Sequence, residues 1–247
     1  MNSEKRSSKS KKWKQLLNNI CYDFVKLTGA IPVLLYLRPK IYKPFHNKTP
    51  KKGVLVSANH RSLTDPIVVH TVYPFRRMHC LATKDLFNTK VKDKFFHLMN
   101  CIVVDKENFA LSSFHEVVSR LSEGKMVVIF PEGGINSDSD NTIRAFKSGA
   151  VLMAYKSKTP ILPIYIVKRE KWYHRQRIIV GKPFDVCEAV GKMPTLEQLN
   201  KASEMLRERE IELRSYFESL PVYQKLSKKA TPKQPKEERN IGNEQTV

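Results

Sequence analysis

The stretch GVLVSANHRSLTDPIVVHTVY, residues 53–73, joins two elements of secondary structure through a short polar loop. Its first part, GVLVSA (53–58), is a run of β-branched and small apolar residues, which is typical of a buried strand. Its last part, DPIVVHTVY (65–73), begins with Asp65 as a predicted N-cap and with Pro in the first turn of a helix. The stretch therefore predicts a strand, a loop and a helix in that order.

The same alternation continues along the chain. Further apolar strands are predicted at residues 79–83, 101–104, 126–130, 161–167 and 177–181. Helices, in which apolar residues recur at the helical period, are predicted at residues 84–99, 107–123, 144–157 and 195–220. Short apolar strands that alternate with helices predict an α/β fold: a single domain with a mostly buried mixed or parallel sheet, flanked by helices and preceded by an amphipathic helical arm.

No internal repeat or second domain is visible, and 247 residues is near the upper limit for one hydrophobic core. The globular domain is predicted at residues 46–220, with its motif-bearing core at 53–185 and its C-terminal helix at 195–220. The flanking parts are a basic disordered N-terminus (1–12), an amphipathic helical arm (13–45) and a basic disordered tail (221–247).

The positive charge of the chain is concentrated near its ends. The net charge is +20, and residues 1–15, 38–52 and 221–247 together contribute 14 of those charges. Such basic segments favour an anionic partner, either nucleic acid or the headgroups of anionic lipids. Solvated tails that keep the chain soluble are the simpler interpretation. Charge alone leaves these alternatives open.

The arm segment Trp13–Leu37 is rich in apolar residues. Its longest run without a charge, Leu27–Leu37, has 11 residues, whereas a membrane-spanning helix needs roughly 20. Gly29 and Pro32 predict one or two helices with a break. With basic residues at both ends and several aromatic residues, the arm either lies in a membrane interface or packs on the protein's own core. No secretory signal is predicted.

The cysteines carry no recognisable metal or disulfide motif. Four of them are scattered along the chain without any C-x-x-C pair. They predict reduced, buried thiols in an intracellular protein, with neither a disulfide framework nor a zinc site.

The loop NHRSLTD (59–65) places His60 five residues before Asp65, directly after the predicted strand. If the loop folds back so that the carboxylate meets the imidazole, one ring nitrogen is fixed and the other is free to accept a proton from a hydroxyl. Asp65 could equally serve only as the N-cap of the next helix. The spacing thus predicts a general base as one of two interpretations.

No motif marks a serine, threonine or cysteine nucleophile, and there is no G-x-S-x-G sequence. The phosphate-binding motifs of nucleotide-binding proteins are absent as well. If His60 is a base, a substrate hydroxyl is therefore expected to attack directly, without an acyl-enzyme.

A second loop, FPEGGINSD (130–138), follows the predicted strand at 126–130. The carboxyl ends of parallel strands meet at one edge of a sheet, where ligands usually bind. The stretch is consistent with an ordinary turn, a phosphate cradle or half of an active site.

Six stretches resemble motif blocks of the glycerolipid acyltransferases and follow that family's order. NHRSLTD (59–65) resembles its N-H-x-x-x-x-D block, and FPEGG (130–134) resembles its F-P-E-G-T-R-S block. The other four are CIVVDK (101–106), FKSGA (146–150), TPILPI (159–164) and VGKP (180–183). Within the family, the resemblance is to the bacterial-type 1-acyl-sn-glycerol-3-phosphate (lysophosphatidic acid) acyltransferases.

The resemblance implies transfer of a fatty acyl group from acyl-CoA or acyl-carrier protein to a lysophospholipid, in phospholipid biosynthesis. His60 is then the general base and Asp65 its orienting partner, with no metal and no cofactor besides the acyl donor. The implied location is cytoplasmic, peripheral or monotopic at the inner face of the cell membrane. The implied partners are an anionic membrane surface, the lysophospholipid and the acyl donor, and no nucleic acid is expected.

The substrate-binding residues that the resemblance implies surround this pair. They are Asn59 and Arg61, which frame the turn, Glu132, Gly133 and Gly134 in the acceptor pocket, and Lys106, at the position that meets the acceptor phosphate. The chain departs from the family where Gly134-Ile135-Asn136 replaces Thr-Arg-Ser, so the phosphate-binding arginine is absent. Arg61, or Arg144 or Lys147 from the next predicted helix, are candidates to supply the missing charge.

Other functions remain compatible with these residues. The acceptor could be another lysolipid or an alcohol that lacks phosphate. A basic nucleic-acid-binding protein is possible from charge, although no binding module is recognisable. A lipid-binding relative without catalysis is the third alternative; His60 and Asp65 argue against it, and Ile135 argues for it.

Overall fold

The computed structural model of the protein describes residues 2–45, 50–105, 111–138, 142–169 and 171–230, with the backbone alone for residues 2–12, 14, 225 and 227–230. The strands are β1 (Lys40–Tyr42), β2 (Val54–Ala58), β3 (Met78–Thr83), β4 (Ile102–Val104), β5 (Met126–Ile129), β6 (Ile161–Ile166) and β7 (Arg177–Val180). The helices are α1 (Asn2–Leu37), α2 (Asp65–Val72), α3 (Lys90–Leu98), α4 (Leu111–Ser122), α5 (Gly149–Ser157), α6 (Val186–Val190), α7 (Leu196–Ser219) and α8 (Pro221–Ala230). A short 3₁₀ turn covers Lys84–Phe87.

The strands of the described residues form one sheet in the order β1-β7-β6-β2-β5-β3-β4. Neighbouring strands are parallel except for β6 and β7, which pair antiparallel. β2 lies between β6 and β5, and all of its residues are buried. The predicted α/β fold with a mostly buried, mixed sheet is confirmed.

Helices cover both faces of this sheet. Val54, Val56 and Ala58 of β2 pack with α1 and α2 in one apolar cluster. Leu55 packs with α4, α5 and α7 on the opposite face, and Ser57 faces α7. A strand that is covered on both faces must be apolar almost throughout, which explains the continuous apolar runs in the sequence. Burial of each large apolar side chain contributes about 1.5–3 kcal/mol.

Several predicted boundaries differ from the structure. The helix predicted at 144–157 begins only at Gly149. The arm predicted as helical to residue 45 ends at Leu37, and β1 follows and pairs with β7. The sequence missed β1 because three residues are too few to show a period and their partner lies more than a hundred residues away. It also missed the single turn and a half of α6.

α1 is one helix from Asn2 to Leu37, so the predictions of a disordered segment at 1–12 and of a break near Gly29 and Pro32 are wrong. Residues on both sides of Pro32 contact the domain. The Tyr22 hydroxyl accepts a hydrogen bond from the Met78 backbone, and Leu37 is buried in the cluster with α2. Pro32 removes one backbone hydrogen bond from the helix, but the helix continues through it to Leu37.

The section Gln15–Leu37 has 23 residues and meets the length and composition of a membrane-crossing helix. The apolar length read from the sequence, 11 residues, was too short because it counted only the run without any charged residue. Signal sequences and buried core helices also meet this criterion, but only 11% of the window here is buried. The arm therefore exposes most of its apolar residues.

The C-terminal region is helical further than predicted. α7 begins after Thr195, whose side chain forms a capping box with Gln198, as expected for the helix predicted at 195–220. The tail predicted as disordered from residue 221 begins with α8, because Tyr223 packs its ring 5.7 Å from that of Phe217. The rest of the predicted tail, residues 231–247, lies outside the described residues.

Candidate active site

His60 and Asp65 meet at the carboxyl edge of the sheet, directly after β2. His60 Nδ1 lies 2.9 Å from Asp65 Oδ2, and the two side chains are 16% and 4% exposed. An ionised carboxylate only accepts hydrogen bonds, so Nδ1 carries the proton and Nε2 holds the lone pair. Within the described part of the chain, Nε2 has no hydrogen-bond partner. The imidazole can therefore accept a proton from a substrate.

Asp65 does not cap α2 as predicted. Thr64 occupies the N-cap position without a side-chain bond, and Asp65 is the first residue of the helix. Its carboxylate turns back onto its own loop, where Oδ2 accepts hydrogen bonds from the backbone N–H groups of Arg61 at 2.5 Å and Ser62 at 2.7 Å. The carboxylate thus organises the loop and orients His60, and capping is not its role.

The loop after β5 holds the other side of His60. The Phe130 ring stacks on the imidazole, with centroids 4.2 Å apart and planes inclined by 19°. The Glu132 side chain accepts a hydrogen bond from the backbone N–H of His60 at 3.0 Å. These contacts exist because β2 and β5 are parallel neighbours whose carboxyl ends coincide. The two loops that the sequence singled out therefore form one site.

Asn136 ties the second loop together. Its side chain is buried and donates to Glu132 Oε2 at 2.9 Å and to the Thr142 carbonyl at 2.8 Å. Its Oδ1 accepts from the backbone of Asp138, and its own backbone N–H donates to the His60 carbonyl at 2.7 Å. Asn136 thereby fixes Glu132 and His60 relative to each other.

Asn59 fixes the start of the first loop to the end of β6, the other neighbour of β2. Its Oδ1 accepts from the Ile166 backbone N–H at 2.7 Å, and its Nδ2 donates to the Ile166 carbonyl at 3.0 Å. The buried side chain thus extends the hydrogen-bond pattern between β2 and β6 by one residue. This bidentate contact sets the direction in which the chain leaves β2.

The predicted cations differ in how much of their hydrogen-bonding capacity is already used. The Arg144 fork is paired with Asp138 through Nε at 3.1 Å and Nη2 at 3.0 Å. Arg61 Nη1 donates to the Asn136 carbonyl at 3.2 Å. Lys147 crosses the FPEGG turn, and a Cβ on Gly133 would lie 2.9 Å from its Nζ. Lys147 thus places its charge directly against the turn.

The glycines of that turn have different constraints. Gly133 has φ +76°, a left-handed conformation that favours glycine, and Lys147 fills the space where a side chain would lie. A Cβ on Gly134 would meet nothing within 4 Å, so no contact requires glycine there. Lys106, the remaining predicted substrate-binding residue, lies outside the described residues.

A sequence profile of the family described as Acyltransferase matches residues 40–167, which is slightly more than half of the chain. The match begins at β1 and includes both loops of the site. The chain belongs to the acyltransferase family. The resemblance drawn from the motif blocks is thereby confirmed.

Relatives of this acyltransferase carry a more specific name. The 1-acyl-sn-glycerol-3-phosphate acyltransferase of Bacillus subtilis is 28% identical over 204 residues, which are 78% of this chain and 97% of that protein. A probable enzyme of the same name from Mycoplasma genitalium is 30% identical over 155 residues, 58% of this chain and 55% of that protein. This chain thus spans nearly all of the first relative and about half of the second.

The fold is shared with a solved structure. The 1-acyl-sn-glycerophosphate (LPA) acyltransferase PlsC from Thermotoga maritima superposes with a TM-score of 0.59 over 84% of each chain. At 18% identity this likeness concerns the fold alone.

Some residues of the site were not recognised from the sequence. Asn136 was treated only as a departure from the family pattern, and Phe130 only as part of a motif.

A buried Glu210 on α7 was not considered either. It accepts a hydrogen bond at 2.6 Å from the hydroxyl of Ser57, which lies three residues before His60. Burial raises the pKa of Glu210 well above its ordinary value; the Ser57 hydroxyl opposes the shift, and Glu132 adds to it. A lone glutamate within an apolar helix face was the signal available in the sequence.

The described residues contain no group of three or more His, Cys, Asp or Glu that is arranged to hold a metal ion. Cys80 is buried, Cys101 and Cys187 are partly buried, and Cys21 is exposed, so the prediction of buried thiols is wrong for Cys21. Cys21 lies on the part of α1 that faces away from the domain, where no packing constrains the residue type.

Proposed function

We propose that this acyltransferase moves a fatty acyl group from a thioester donor to the free hydroxyl of 1-acylglycerol-3-phosphate, in phospholipid biosynthesis. The observation that carries the proposal is the His60–Asp65 pair, whose Nε2 lacks a partner in the described part of the chain and faces the edge shared with the FPEGG turn. The names of the Bacillus and Mycoplasma relatives support the choice of acceptor.

The proposed reaction needs one base and no enzyme nucleophile. His60 Nε2 takes the proton of the acceptor hydroxyl while the hydroxyl oxygen attacks the thioester carbonyl. The C–S bond then breaks, and the imidazolium returns its proton to the departing thiolate, so the protein is unchanged. Asp65 stabilises the transient positive charge on the ring, and a base of this kind contributes roughly 10²–10⁴-fold. Acyl-CoA and acyl-carrier protein both supply such a thioester.

Lys147 and Arg61 are the residues that we propose for the acceptor phosphate. Lys147 lies over the turn where the family's arginine is missing, and Arg61 lies on the opposite loop beside Asn136. Arg144 is the poorer candidate because its fork is paired with Asp138. A lysine keeps the charge but binds phosphate as a point charge, without the bidentate fork of an arginine.

The membrane is the proposed location, and the polarity of α1 supports it. The two charged residues within its apolar section face the domain: Asp23 pairs with Arg77, and Lys26 donates to the Arg76 carbonyl. The outer surface of the helix exposes large apolar residues at helical spacing. They are Trp13, Leu17, Ile20, Phe24, Leu27, Ile31 and Leu35. This outward face, called the arm face below, suits the interface of a bilayer; the cytoplasmic side is part of the same proposal.

The test is an acyl-transfer assay with purified protein, vesicles that contain lysophosphatidic acid, and either acyl-CoA or acyl-carrier protein, read by mass spectrometry. His60→Ala is expected to abolish transfer. His97→Ala is the matched control, because His97 pairs with Asp93 on the exposed surface of α3. Full activity of His60→Ala would disprove the mechanism, and transfer to no lysolipid by the unmodified protein would disprove the function.

A second acceptor class is favoured by one observation. Ile135 is 39% exposed at the position where the family has the phosphate-binding arginine. An apolar side chain there suits an alcohol without phosphate. Monoacylglycerol in the same assay, beside lysophosphatidic acid, separates the two acceptors.

A further inference from the structure

The connection from β6 to β7, residues 167–176, carries basic and aromatic side chains that no step of the reaction uses. It contains four Lys or Arg and one Glu. Trp172 is 73% exposed and Tyr173 is 47% exposed. A tryptophan that remains this exposed in a folded protein marks a surface that meets something less polar than water.

This β6–β7 loop leaves the sheet at the edge that carries His60. β6 ends at Ile166, and both backbone groups of Ile166 are bonded to Asn59, the residue directly before His60. The loop therefore begins one residue after the contact that fixes the catalytic loop. A surface that binds the loop therefore lies near the edge that carries His60.

The loop is continuous with the C-terminal end of α1. The Gln176 backbone N–H donates to the Leu37 carbonyl at 2.8 Å, and Arg175 Nε donates to the Arg38 carbonyl at 3.0 Å. The Arg38 side chain in turn donates to the Tyr173 carbonyl. These bonds join the loop to the end of the arm face, so the two surfaces form one continuous region.

Arg169 adds a cation at the junction. Its guanidinium lies 4.6 Å from the ring centroid of Tyr36, a residue that is 53% exposed. Its Nε and Nη2 are buried, and no described residue accepts a hydrogen bond from them. Buried N–H groups without an acceptor destabilise the protein, so a shift of the Arg169 side chain toward a lipid phosphate would provide an acceptor that the described residues do not.

An anionic bilayer fits this combination better than a nucleic acid does. Tryptophan and tyrosine concentrate at the level of lipid headgroups, and lysine and arginine bind the headgroup phosphates there. Bases would need aromatic rings free to stack, whereas Tyr173 already packs edge-on against Trp172 and His174. The loop also adjoins the apolar arm face of α1. Such a face suits contact with acyl chains, whereas it contributes nothing to binding a polyanion.

We propose that the β6–β7 loop is a second lipid-contact element, in which Trp172 and Tyr173 enter the headgroup layer of an anionic bilayer while Lys168, Arg169 and Lys171 bind lipid phosphates. The proposal rests on the proposed function in one respect, that the acceptor is a membrane lipid. A domain held by one helix can tilt about the line of contact. The second contact removes this freedom and holds the carboxyl edge, with His60, against the lipid surface.

The site-specific test uses tryptophan fluorescence of the full chain. The protein has two tryptophans, so Trp13→Phe leaves Trp172 as the only one. Vesicles of phosphatidylglycerol and phosphatidylcholine are expected to shift the emission of Trp172 to the blue, and brominated lipids are expected to quench it. If the protein sediments with the vesicles while the emission of Trp172 stays unchanged, the proposal is wrong.

The binding test uses exposed residues of the loop that make no long-range hydrogen bond. Lys168→Gln/Lys171→Gln is expected to weaken binding to the anionic vesicles about tenfold or more, since each basic side chain near a charged surface contributes about fivefold. Trp172→Ala is expected to weaken binding to a similar degree. Lys201→Gln and Met193→Ala, which are exposed beyond the opposite face of the sheet, are the matched controls. Equal binding by loop variants and controls would overturn the proposal.

Activity separates this proposal from the proposed function. The loop variants are expected to lose transfer to lysophosphatidic acid in vesicles but to keep transfer to a short-chain, monomeric lysophosphatidic acid. No transfer to either acceptor by the unmodified protein refutes the proposed function. Unimpaired transfer in vesicles by the loop variants refutes the lipid contact alone. If the loop variants lose oligonucleotide binding and keep vesicle binding, the lipid contact is refuted, and the loop is a nucleic-acid-binding surface.

Discussion

The loop that carries His60 and the loop that carries Glu132 leave neighbouring strands at the same edge, but they are held in different ways. Asp65 closes the first loop through partners no more than five residues away. The second loop has local contacts of its own through Asn136, but it is joined to the first loop by distant partners: Glu132 is 72 positions from His60, and Asn136 is 75 positions from Arg61. The contact that forms the His60–Asp65 pair is therefore local, whereas the contacts that bring the second loop to it are long-range.

This difference explains why the two loops tolerate departures from the family pattern differently. The spacing of His60 and Asp65 cannot change without loss of their contact. The second loop replaces Thr-Arg-Ser by Gly134-Ile135-Asn136 and still reaches His60, because Asn136 supplies both a backbone and a side-chain link.

The largest expected effect comes from breaking the first loop at its centre. Asp65→Asn keeps the shape of the side chain but removes the charge that stabilises the imidazolium, so acyl transfer is expected to fall roughly 10²–10⁴-fold. Steady-state rates on lysophosphatidic acid measure the loss. Asp93→Asn removes the charge from an exposed Asp–His pair and is expected to leave the rate unchanged. A small effect of Asp65→Asn would show that the loop needs no charge.

The next largest effect comes from breaking the link between the loops. Asn136→Ala leaves Glu132 Oε2 and the Thr142 carbonyl without their side-chain donor, which is expected to lower the free energy of unfolding by about 2–3 kcal/mol. Activity is expected to fall about tenfold to hundredfold, because small displacements of catalytic groups are costly. Urea unfolding and the transfer assay measure the two effects.

Asn200→Ala is the control for that experiment, since Asn200 is exposed on α7 and its loss should change stability by about 0.5 kcal/mol or less. If Asn136→Ala loses stability and keeps full activity, the second loop is a structural brace and does not position His60.

A smaller effect distinguishes the cations of the second loop. Lys147→Met keeps the stem that packs on Gly133 and removes the charge, and it is expected to raise KM for lysophosphatidic acid about tenfold with little change in kcat. Arg144→Ala, which removes a cation already paired with Asp138, should raise KM much less. The reverse ranking would assign the phosphate to Arg144.

A last effect, on the pH dependence of stability, concerns Glu210, whose carboxylate contacts Ser57 at the end of β2. Its folded pKa is raised mainly by burial, so the folded protein holds a proton that the unfolded chain releases. The stability that this proton provides is complete below the ordinary glutamate pKa and is lost as the pH rises toward the folded pKa, by at most about 1.4 kcal/mol per pH unit.

Glu210→Gln cannot ionise and is expected to flatten this pH profile, so that the variant gains stability relative to the unmodified protein as the pH rises. Urea unfolding at a series of pH values from acid to neutral tests this. Ser57→Ala separates the contributions, because it removes the hydroxyl that opposes the shift. Parallel profiles for the unmodified protein and Glu210→Gln would contradict a proton held at Glu210.

Most of the fold could be predicted because its patterns are local. A strand covered on both faces must be apolar, and this fixed the positions of β2, β5 and β6. The helical period of residues 195–220 predicted α7, which begins at Leu196. β1 could not be predicted, because its three residues carry no strand pattern of their own. It is a strand only because it pairs with β7, which lies far along the chain.

The amino-acid sequence alone determined the α/β class through its periodicity, the family through the resemblance of its motif blocks, and the spacing of His60 and Asp65. Only the tertiary structure decided that Asn136 links the loops, that Lys147 and not Arg144 crosses the turn, and that Asp23 and Lys26 face inward. The physical reason is the register of parallel strands, which brings residues more than seventy positions apart to one edge. No local pattern encodes such a contact.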